Sequence, residues 1–179
     1  INIVCMIEDN SDRKIAVIFA TDVVGYSKAI ENNETQTLKN LKECRNILDN
    51  LILKYKGRIF NTAGDSVLAE FSSAVSALEC ATIFQKKIRD RNSSVTDLEN
   101  MEFRIGINIG DVVLDRKNLY GEGVNIAARL ESFAQPNGLS ISKSLFDLIE
   151  GKTQNKFRDL GIQKIKNNKF HVYDLISNE

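Results

Sequence analysis

Two aspartates, Asp22 and Asp65, occupy positions where a carboxylate has chemical consequences. Asp22 follows the apolar run 15–20, Ile-Ala-Val-Ile-Phe-Ala, at the end of a predicted buried strand, where an unpaired charge would be costly. Asp65 lies in the sequence Gly64-Asp65-Ser66, between two short predicted strands, a place that turn chemistry alone also explains. If adjacent strands bring the two carboxylates together, they offer the oxygen ligands that Mg²⁺ or Mn²⁺ prefers. Two such ions in one site activate an attacking oxygen and stabilise a leaving one.

A second candidate pair, Asn125 and Arg129, lies in the segment 120–131, Tyr-Gly-Glu-Gly-Val-Asn-Ile-Ala-Ala-Arg-Leu-Glu. The spacing of four residues places both side chains on one face of a predicted helix. An amide and a guanidinium can orient a ribose and hold a phosphoryl oxygen in a bidentate manner. A solvated polar stripe is the alternative that the pair alone leaves open.

The elements that must position these residues alternate between strands and helices. Apolar periodicity and turn residues predict strands over 14–24, 58–61, 67–71, 103–108, 111–114, 139–142, 157–160 and 169–175. They predict helices over 34–55, 73–91, 121–133 and 144–149. The strands within 58–71 form one predicted hairpin, and those within 103–114 form a second that turns at Gly110. Hairpins mixed with helical crossovers predict an α+β fold with helices packed on one sheet.

Composition excludes several classes of function. The 24 basic and 24 acidic residues cancel, which argues against a dedicated nucleic-acid-binding protein. The single histidine, His171, cannot build a histidine-rich metal site, and its strand-like surroundings indicate a structural or surface role. The cysteines, Cys5, Cys44 and Cys80, are too far apart for a zinc site or a redox pair, and their odd number fits a reducing compartment.

The length of 179 residues, with 42% hydrophobic residues, is enough for one packed domain. We expect that domain to cover 14–176, with 1–13 as an N-terminal extension or linker from a longer chain, because the sequence opens with Ile rather than Met. No apolar stretch approaches the ~18 residues that would span a bilayer. A regulatory or membrane-attached domain outside the fragment is compatible with this organisation.

Four segments, taken together and in order, resemble the catalytic domain of class III nucleotidyl cyclases. They are Phe-Ala-Thr-Asp-Val-Val-Gly-Tyr-Ser (19–27), Thr-Ala-Gly-Asp-Ser (62–66), Arg-Ile-Gly-Ile-Asn-Ile-Gly-Asp-Val (104–112) and the segment 120–131. The last is typical of the bacterial adenylate cyclase branch. The resemblance implies a ferredoxin-like α+β fold with a central, mostly antiparallel sheet. It also implies a cytoplasmic enzyme that converts ATP to 3′,5′-cyclic AMP and pyrophosphate.

The resemblance implies roles for individual residues. Asp22 and Asp65, with the backbone of Val23, match the ligands of two Mg²⁺ or Mn²⁺ ions per active site. Asn125 matches the asparagine that orients the ribose, and Arg129 matches the arginine that stabilises the transition state. The other implied substrate-binding residues are Gly25, Tyr26 and Ser27 in the phosphate loop, Asn61 and Asn118 at the base, and Lys166 at the phosphates. Because the family takes its aspartates and its Asn/Arg pair from different subunits, a homodimer with two equivalent sites is implied.

Two positions depart from the family pattern, and both concern the nucleotide base. Asn61 stands where adenine-specific members usually carry lysine, and Asn118 stands where they carry aspartate. Guanine-specific members carry glutamate and cysteine there instead. An asparagine amide donates and accepts hydrogen bonds, so either purine edge is compatible with it. ATP is favoured by the surrounding motifs, whereas GTP, a pyrimidine nucleotide, or a catalytically silent nucleotide-binding or dimerising module remain open alternatives.

Overall fold

A computed structural model describes residues 12–165 and 167–176. This part of the chain forms eight strands and five α-helices, with a short 3₁₀ turn at Asp97–Glu99. The strands are β1 (Asp12–Val23), β2 (Arg58–Ala63), β3 (Ser66–Phe71), β4 (Phe103–Asp115), β5 (Asn118–Tyr120), β6 (Leu139–Ser142), β7 (Lys156–Ile165) and β8 (Asn168–Ile176). The helices are α1 (Tyr26–Asn32), α2 (Glu34–Lys54), α3 (Ala74–Ser93), α4 (Glu122–Glu131) and α5 (Lys143–Ile149).

The strands form one sheet in the order β2-β3-β1-β4-β6-β8-β7, with β5 paired to β4 beside this path. The described pairs are antiparallel except β4 with β6, which run parallel. The prediction of an α+β fold with a mostly antiparallel sheet is therefore confirmed.

β1 is the central element that delivers Asp22 to its position. It is buried on both faces, which explains its continuous apolar run. Phe19 packs in the larger core with helices α2 and α3, and its neighbours Ile18 and Ala20 pack in a smaller core on the opposite face, with Ala127 of α4. β1 pairs with β4 over its whole length, from Asp12 opposite Leu114 to Val23 opposite Phe103.

Helices α2 and α3 cover one face of the sheet. Their fully buried side chains include Leu48, Leu78 and Phe84, and burying each contributes roughly 1.5–3 kcal/mol. Side-chain N-caps begin both helices: Asn33 accepts from the Gln36 amide, and Ser73 accepts from the Ser76 amide. Of the helices in the described part of the chain, none combines the length and apolar character needed to cross a bilayer.

The prediction of a turn at Gly110 is wrong. β4 continues through this residue, which pairs with Ala16 of β1, and the chain reverses only at Arg116, whose φ is 58°. The glycine lies in a closely packed place instead, because a Cβ at Gly110 would lie 3.2 Å from Nδ2 of Asn108 and 3.3 Å from the Cα of Gly123 on α4. The returning strand, β5, and the short helix α1 were not predicted.

Cys44 and Cys80 are buried free thiols on α2 and α3. Burial raises the pKa of Cys44 to about 11 and that of Cys80 to about 12, so both thiols are weak nucleophiles. Cys5 lies outside the described residues. The domain boundary at residue 14 stays a prediction; in the structure, β1 begins at Asp12.

Candidate active site

Asp22 and Asp65 come from neighbouring parts of the sheet. Asp65 lies in the turn between β2 and β3, and Val67 of β3 pairs with Thr21 of β1. The backbone N–H of Val23 donates a hydrogen bond of 2.8 Å to the Asp65 carboxylate. This bond fixes the turn against the end of β1, so that the two aspartates lie at one edge of the sheet.

Arg104 neutralises Asp22 from the adjacent strand. The two residues are direct partners in the antiparallel β1–β4 register. Arg104 donates from Nε to Oδ1 at 3.1 Å and from Nη2 to Oδ2 at 2.6 Å, a bidentate pair with both side chains partly buried. Charge-assisted bidentate bonds are among the strongest in proteins, which explains how a carboxylate is accommodated at the end of a buried strand.

Glu131, at the end of α4, is a third acidic group in this cluster. Its Oε1 lies 3.6 Å from Arg104 Nη2, and its side chain is only 12% exposed. Burial, and then the hydrogen bond and negative charge of Asp22, raise the pKa of Glu131 to about 8. The helix can approach this closely because residue 106 is glycine: a Cβ there would lie 2.3 Å from the backbone nitrogen of Glu131.

Arg104 and Glu131 belong to this charged cluster, but the sequence does not single them out. Both lie inside the motif segments, but no role was assigned to either of them. The signal for Arg104 was the strand register, because an antiparallel pairing of the two long apolar strands places it opposite Asp22. Glu131 joins the cluster only through the packing of α4 on β4, which a local sequence pattern does not predict.

The loop after β1 is a tight turn around Gly25, whose φ of 67° favours glycine. The amide of Val24 donates to the carbonyl of Glu102 at 2.9 Å and anchors the turn. Gly25 and Ser27 are exposed, whereas the ring of Tyr26 packs against the larger core. Any contact of this loop with substrate is therefore expected from Gly25, from Ser27 and from the backbone.

Asn125 and Arg129 lie on α4, but on a different face from Glu131. Glu131 follows Arg129 by two residues, which is roughly 200° around an α-helix. Asn125 is exposed, and the guanidinium carbon of Arg129 lies 6.0 Å from the ring centre of Phe170 on β8. Among the described residues, no hydrogen bond or ion pair joins either side chain to Asp22 or Asp65. One chain therefore presents the acidic pair and the Asn/Arg pair in different directions.

The two asparagines proposed at the base lie on adjacent elements. Asn61 is half-buried on β2, next to a bulge in its pairing with β3. Asn118 begins β5; its Nδ2 donates to the Tyr120 hydroxyl at 3.0 Å, and its Oδ1 accepts from the Leu119 amide at 2.9 Å. A hydrogen bond from Arg58 of β2 to the Lys117 carbonyl holds the two elements together. Lys166 lies outside the described residues.

The end of the sheet that carries Asp22 and Asp65, called the acidic edge below, has the oxygen donors that a hard divalent cation prefers. Within residues 12–165 and 167–176, no three carboxylate, histidine or cysteine side chains form a ready-made metal cluster. Asp22, Asp65 and the backbone of Val23 supply oxygen donors, which Mg²⁺ and Mn²⁺ prefer. Asp22 is nevertheless engaged by Arg104 through both of its oxygens.

Comparison with known proteins identifies the family of this chain. Residues 7–177 match the sequence model of the adenylate and guanylate cyclase catalytic domain. The chain belongs to this family. Its cyclase fold is shared with the adenylate/guanylate cyclase/hydrolase from Silicibacter pomeroyi, which is 36% identical with a TM-score of 0.87 over 94% of this chain and 100% of that one.

Other cyclases support the same assignment. A Rhizobium meliloti (strain 1021) protein named "Putative adenylate cyclase 3" is 37% identical over 163 residues, 90% of this chain and 28% of that protein. An adenylate cyclase from Streptomyces coelicolor is 30% identical over 75% of this chain and 34% of its own length. The cyclase domain thus spans about a third or less of these curated relatives. The adenylyl cyclase CyaB from P. aeruginosa, at 24% identity and a TM-score of 0.81, shares the fold.

Proposed function

We propose that this cyclase domain converts ATP to 3′,5′-cyclic AMP and pyrophosphate at sites shared by two copies of the chain. The observation that carries the proposal is the opposed orientation of the two half-sites. Asp22 and Asp65 lie at one edge of the sheet, while Asn125 and Arg129 lie on a face of α4 turned away from them. A second copy that presents its α4 face to the first would complete both sites.

The sheet face that carries α4 is suited to such an interface. Phe60, Leu68 and Leu114 pack against the smaller core on this face but remain only partly buried. Tyr120 is 51% exposed on β5, which pairs with β4. Burial of these apolar side chains against a second copy would stabilise a homodimer.

The acidic edge would hold the cation and the triphosphate. Asp22, Asp65 and the backbone of Val23 would ligate two Mg²⁺ or Mn²⁺ ions, and the turn from Val23 to Ser27 would lie along the phosphates. When bound, these ions supply Lewis-acid activation of a hydroxyl and neutralisation of phosphate charge. Lys166 is proposed as a further phosphate contact.

The face of α4 that carries Asn125 and Arg129, called the Asn/Arg face below, would bind the ribose and the transferred phosphoryl group. Asn125 would hold the ribose so that its 3′-oxygen lies in line with the α-phosphorus. That oxygen attacks, its proton is lost to solvent, and the bond to the pyrophosphate oxygen breaks. Arg129 would offset the negative charge that grows on the α-phosphoryl oxygens during this step. The proposed reaction uses no histidine as a general base.

The base would lie between β2 and β5, where Asn61 and Asn118 are found. Asn118 already uses one N–H and its carbonyl oxygen within its own strand. The remaining donor and lone pair leave it able to contact either purine edge. We favour ATP because a relative at 37% identity is named "Putative adenylate cyclase 3" and one at 30% is named "Adenylate cyclase"; GTP is the second candidate.

Product analysis tests the proposed activity. The purified chain is incubated with Mn²⁺ and, separately, with ATP, GTP, CTP and UTP, at a protein concentration high enough to populate dimers. We expect a 3′,5′-cyclic nucleotide, with cyclic AMP the most abundant, measured by chromatography. Cyclic GMP as the main product would reverse the base assignment. No cyclic product from any nucleotide, despite nucleotide binding, would favour the catalytically silent module.

A further inference from the structure

Arg58 connects β2 with two other strands of the sheet. Its Nε donates to Oε1 of Glu70 on β3 at 2.7 Å, and its Nη1 donates to the carbonyl of Lys117, directly before β5. Glu70 also accepts from Nζ of Lys14 on β1 at 2.8 Å. Although burial raises the pKa of Glu70, the hydrogen bonds and charges of Lys14 and Arg58 leave it below its ordinary value. A charged carboxylate therefore anchors the guanidinium on one side, and the guanidinium holds the β4–β5 turn on the other.

β5 has little else to fix its distance from β2. It is three residues long, and among the described strand pairs it pairs with β4 alone. Its middle residue, Leu119, is buried, whereas Tyr120 is 51% exposed. Among the hydrogen bonds of the described residues, the bond from Arg58 to the Lys117 carbonyl is the one that joins this turn to β2. The spacing between β2 and β5 therefore depends on this bond.

The amide of Asn118 is fixed in one orientation by its own strand. The backbone N–H of Leu119 is a donor, so the atom that accepts it at 2.9 Å is Oδ1, and Nδ2 donates to the Tyr120 hydroxyl at 3.0 Å. One N–H and one lone pair of the amide are left for a base. Because turning the amide over would cost a hydrogen bond, its spacing from a second group decides which base edge the two groups match together.

Asn61 is that second group, and Arg58 lies three residues before it on β2. The cross-strand pair of Arg58 with Glu70 precedes a bulge, at which the β2–β3 register shifts between Ile59 and Asn61. Bulges of this kind re-aim a side chain. None of the hydrogen bonds among the described residues uses the Asn61 amide, so its donor and acceptor are available. Arg58 thus shares a strand with one asparagine and holds the turn that leads to the other.

We propose that Arg58 is a positioning residue for base selection, and that its bond to the Lys117 carbonyl sets the spacing between Asn61 and Asn118. The inference rests on the proposed place of the base between β2 and β5. Arg58 does not touch the nucleotide in this scheme. A fixed spacing lets both amides pair with one base edge, whereas another base leaves some of their polar groups unpaired, which is what discriminates between bases.

Two substitutions of Arg58 and one matched control separate this role from a general contribution to the sheet. Arg58→Lys keeps a cation beside Glu70, but an ammonium lacks the planar fork that donates to Glu70 and Lys117 together. Arg58→Gln removes the cation as well. Lys14→Gln, the control, removes the other cation at Glu70 and leaves both bonds of Arg58 in place.

The 179-residue chain and each variant are studied with Mn²⁺ at a concentration that populates dimers. Values of kcat and KM are measured for ATP and for GTP. Dissociation constants are measured by equilibrium dialysis for 3′-deoxy-ATP and 3′-deoxy-GTP, which lack the attacking hydroxyl and report binding without turnover. Urea unfolding confirms that each variant is folded.

Both Arg58 variants should lower the preference for the better purine, expressed as the ratio of the two kcat/KM values, by about three- to tenfold. The loss should come from a higher KM for the better purine, with kcat within about twofold of the unmodified value, because base contacts are made equally before and during the reaction. The ratio of the two dissociation constants should fall to the same extent. Lys14→Gln should keep the unmodified ratios.

Four results would overturn the role of Arg58. The first is an unmodified purine ratio in folded Arg58→Lys and Arg58→Gln. The second is an equal fall of the ratio in Lys14→Gln, which would make the effect a property of the sheet as a whole. The third is a fall in kcat alone, equal for both purines. The fourth is equal use of ATP and GTP by the unmodified chain, because no base selection would then exist to be positioned.

Failure of the proposed function has a different signature. It would appear as no cyclic product and no binding of either 3′-deoxynucleotide by the unmodified chain, and the role of Arg58 would fall with it.

Discussion

The acidic edge and the Asn/Arg face of this cyclase domain differ in how far their side chains are satisfied within one chain. At the acidic edge, Asp22 accepts two hydrogen bonds from Arg104, and Asp65 accepts one from the Val23 amide. On α4, Asn125 is exposed, and Arg129 contacts only the face of Phe170 among its described charged or aromatic neighbours. In the first region both carboxylates are hydrogen-bonded within the chain, whereas the second region has no acidic partner in the described contacts.

For the proposed shared site, this difference suggests how one chain can carry both half-sites before substrate binds. The partly buried acids accept hydrogen bonds within the chain, because carboxylates withdrawn from water without such partners would destabilise the fold. The arginine and asparagine are at the surface, where hydration satisfies them until a nucleotide is presented. In the proposed dimer, separating the two regions would make the complete site depend on a second copy.

The largest expected effect comes from removing one charged side chain from each region. Asp22→Ala and Arg129→Ala should each lower turnover by on the order of 10³-fold or more, because each removes charge stabilisation of the phosphoryl group. Mixing the two inactive proteins under subunit exchange should restore activity to about a quarter of the unmodified level, since half of the dimers carry one whole site. Each protein alone, at the same total concentration, is the control. A mixture that stays inactive while heterodimers are shown to form would contradict the shared site.

A smaller effect concerns the pH dependence of stability at the acidic edge. The pKa of Glu131 is raised to about 8 in the folded chain from an ordinary value of 4.5, so the folded state binds more protons between these values. The free energy of unfolding should therefore fall as pH rises from about 4.5 to about 8, with a slope of at most about 1.4 kcal/mol per pH unit from this group. Glu131→Gln should remove that slope, and its stability relative to the unmodified chain should be greatest above pH 8.

Urea unfolding of the cation-free protein at pH 5.5, 7.0 and 8.5 measures this dependence. Glu122→Gln, an exposed acid on the same helix, should run parallel to the unmodified chain. Parallel curves for Glu131→Gln as well would show that the Glu131 carboxyl titrates as an ordinary surface acid.

The smallest expected effect concerns the contact between Phe170 and Arg129 on the Asn/Arg face. Phe170 presents its ring to Arg129 at 6.0 Å, a contact that orients a guanidinium without neutralising it. Phe170→Leu, which keeps an apolar side chain, should lower kcat by about two- to fivefold with little change in KM. Phe170→Tyr keeps the aromatic face and should retain the unmodified kcat. Equal kcat in the leucine and tyrosine variants would remove the ring from the positioning of Arg129.

Local patterns predicted much of the fold. The helices at 34–55 and 73–91 agree closely with α2 and α3, because their apolar spacing and their caps are read within a few residues. Gly110 misled the prediction, since a glycine that turns a chain and one that admits a helix backbone look alike in a sequence. The helix α1 has no buried residue and hence no apolar stripe to reveal it.

Only some residues of the candidate site could be predicted, because only some of them belong to a local sequence pattern. Asp22 was noticeable because it ends an apolar run, and Asn125 and Arg129 because they share a helical spacing. Arg104 and Glu131 become part of the site only through the pairing of β1 with β4 and the packing of α4 on β4. These are contacts between residues 27 and 82 positions apart, which no local pattern contains.

Gly106 has a consequence for how relatives of this chain should be compared. Since any Cβ there would strike the backbone of α4, the position must stay glycine in a protein that keeps this packing, whether or not it turns over a nucleotide. Asp22 and Arg129 carry no such architectural demand. In a collection of homologous sequences, glycine at this position therefore reports an inherited architecture. Loss of either charged residue beside a retained glycine would mark a relative that keeps the fold without one of the two proposed half-sites.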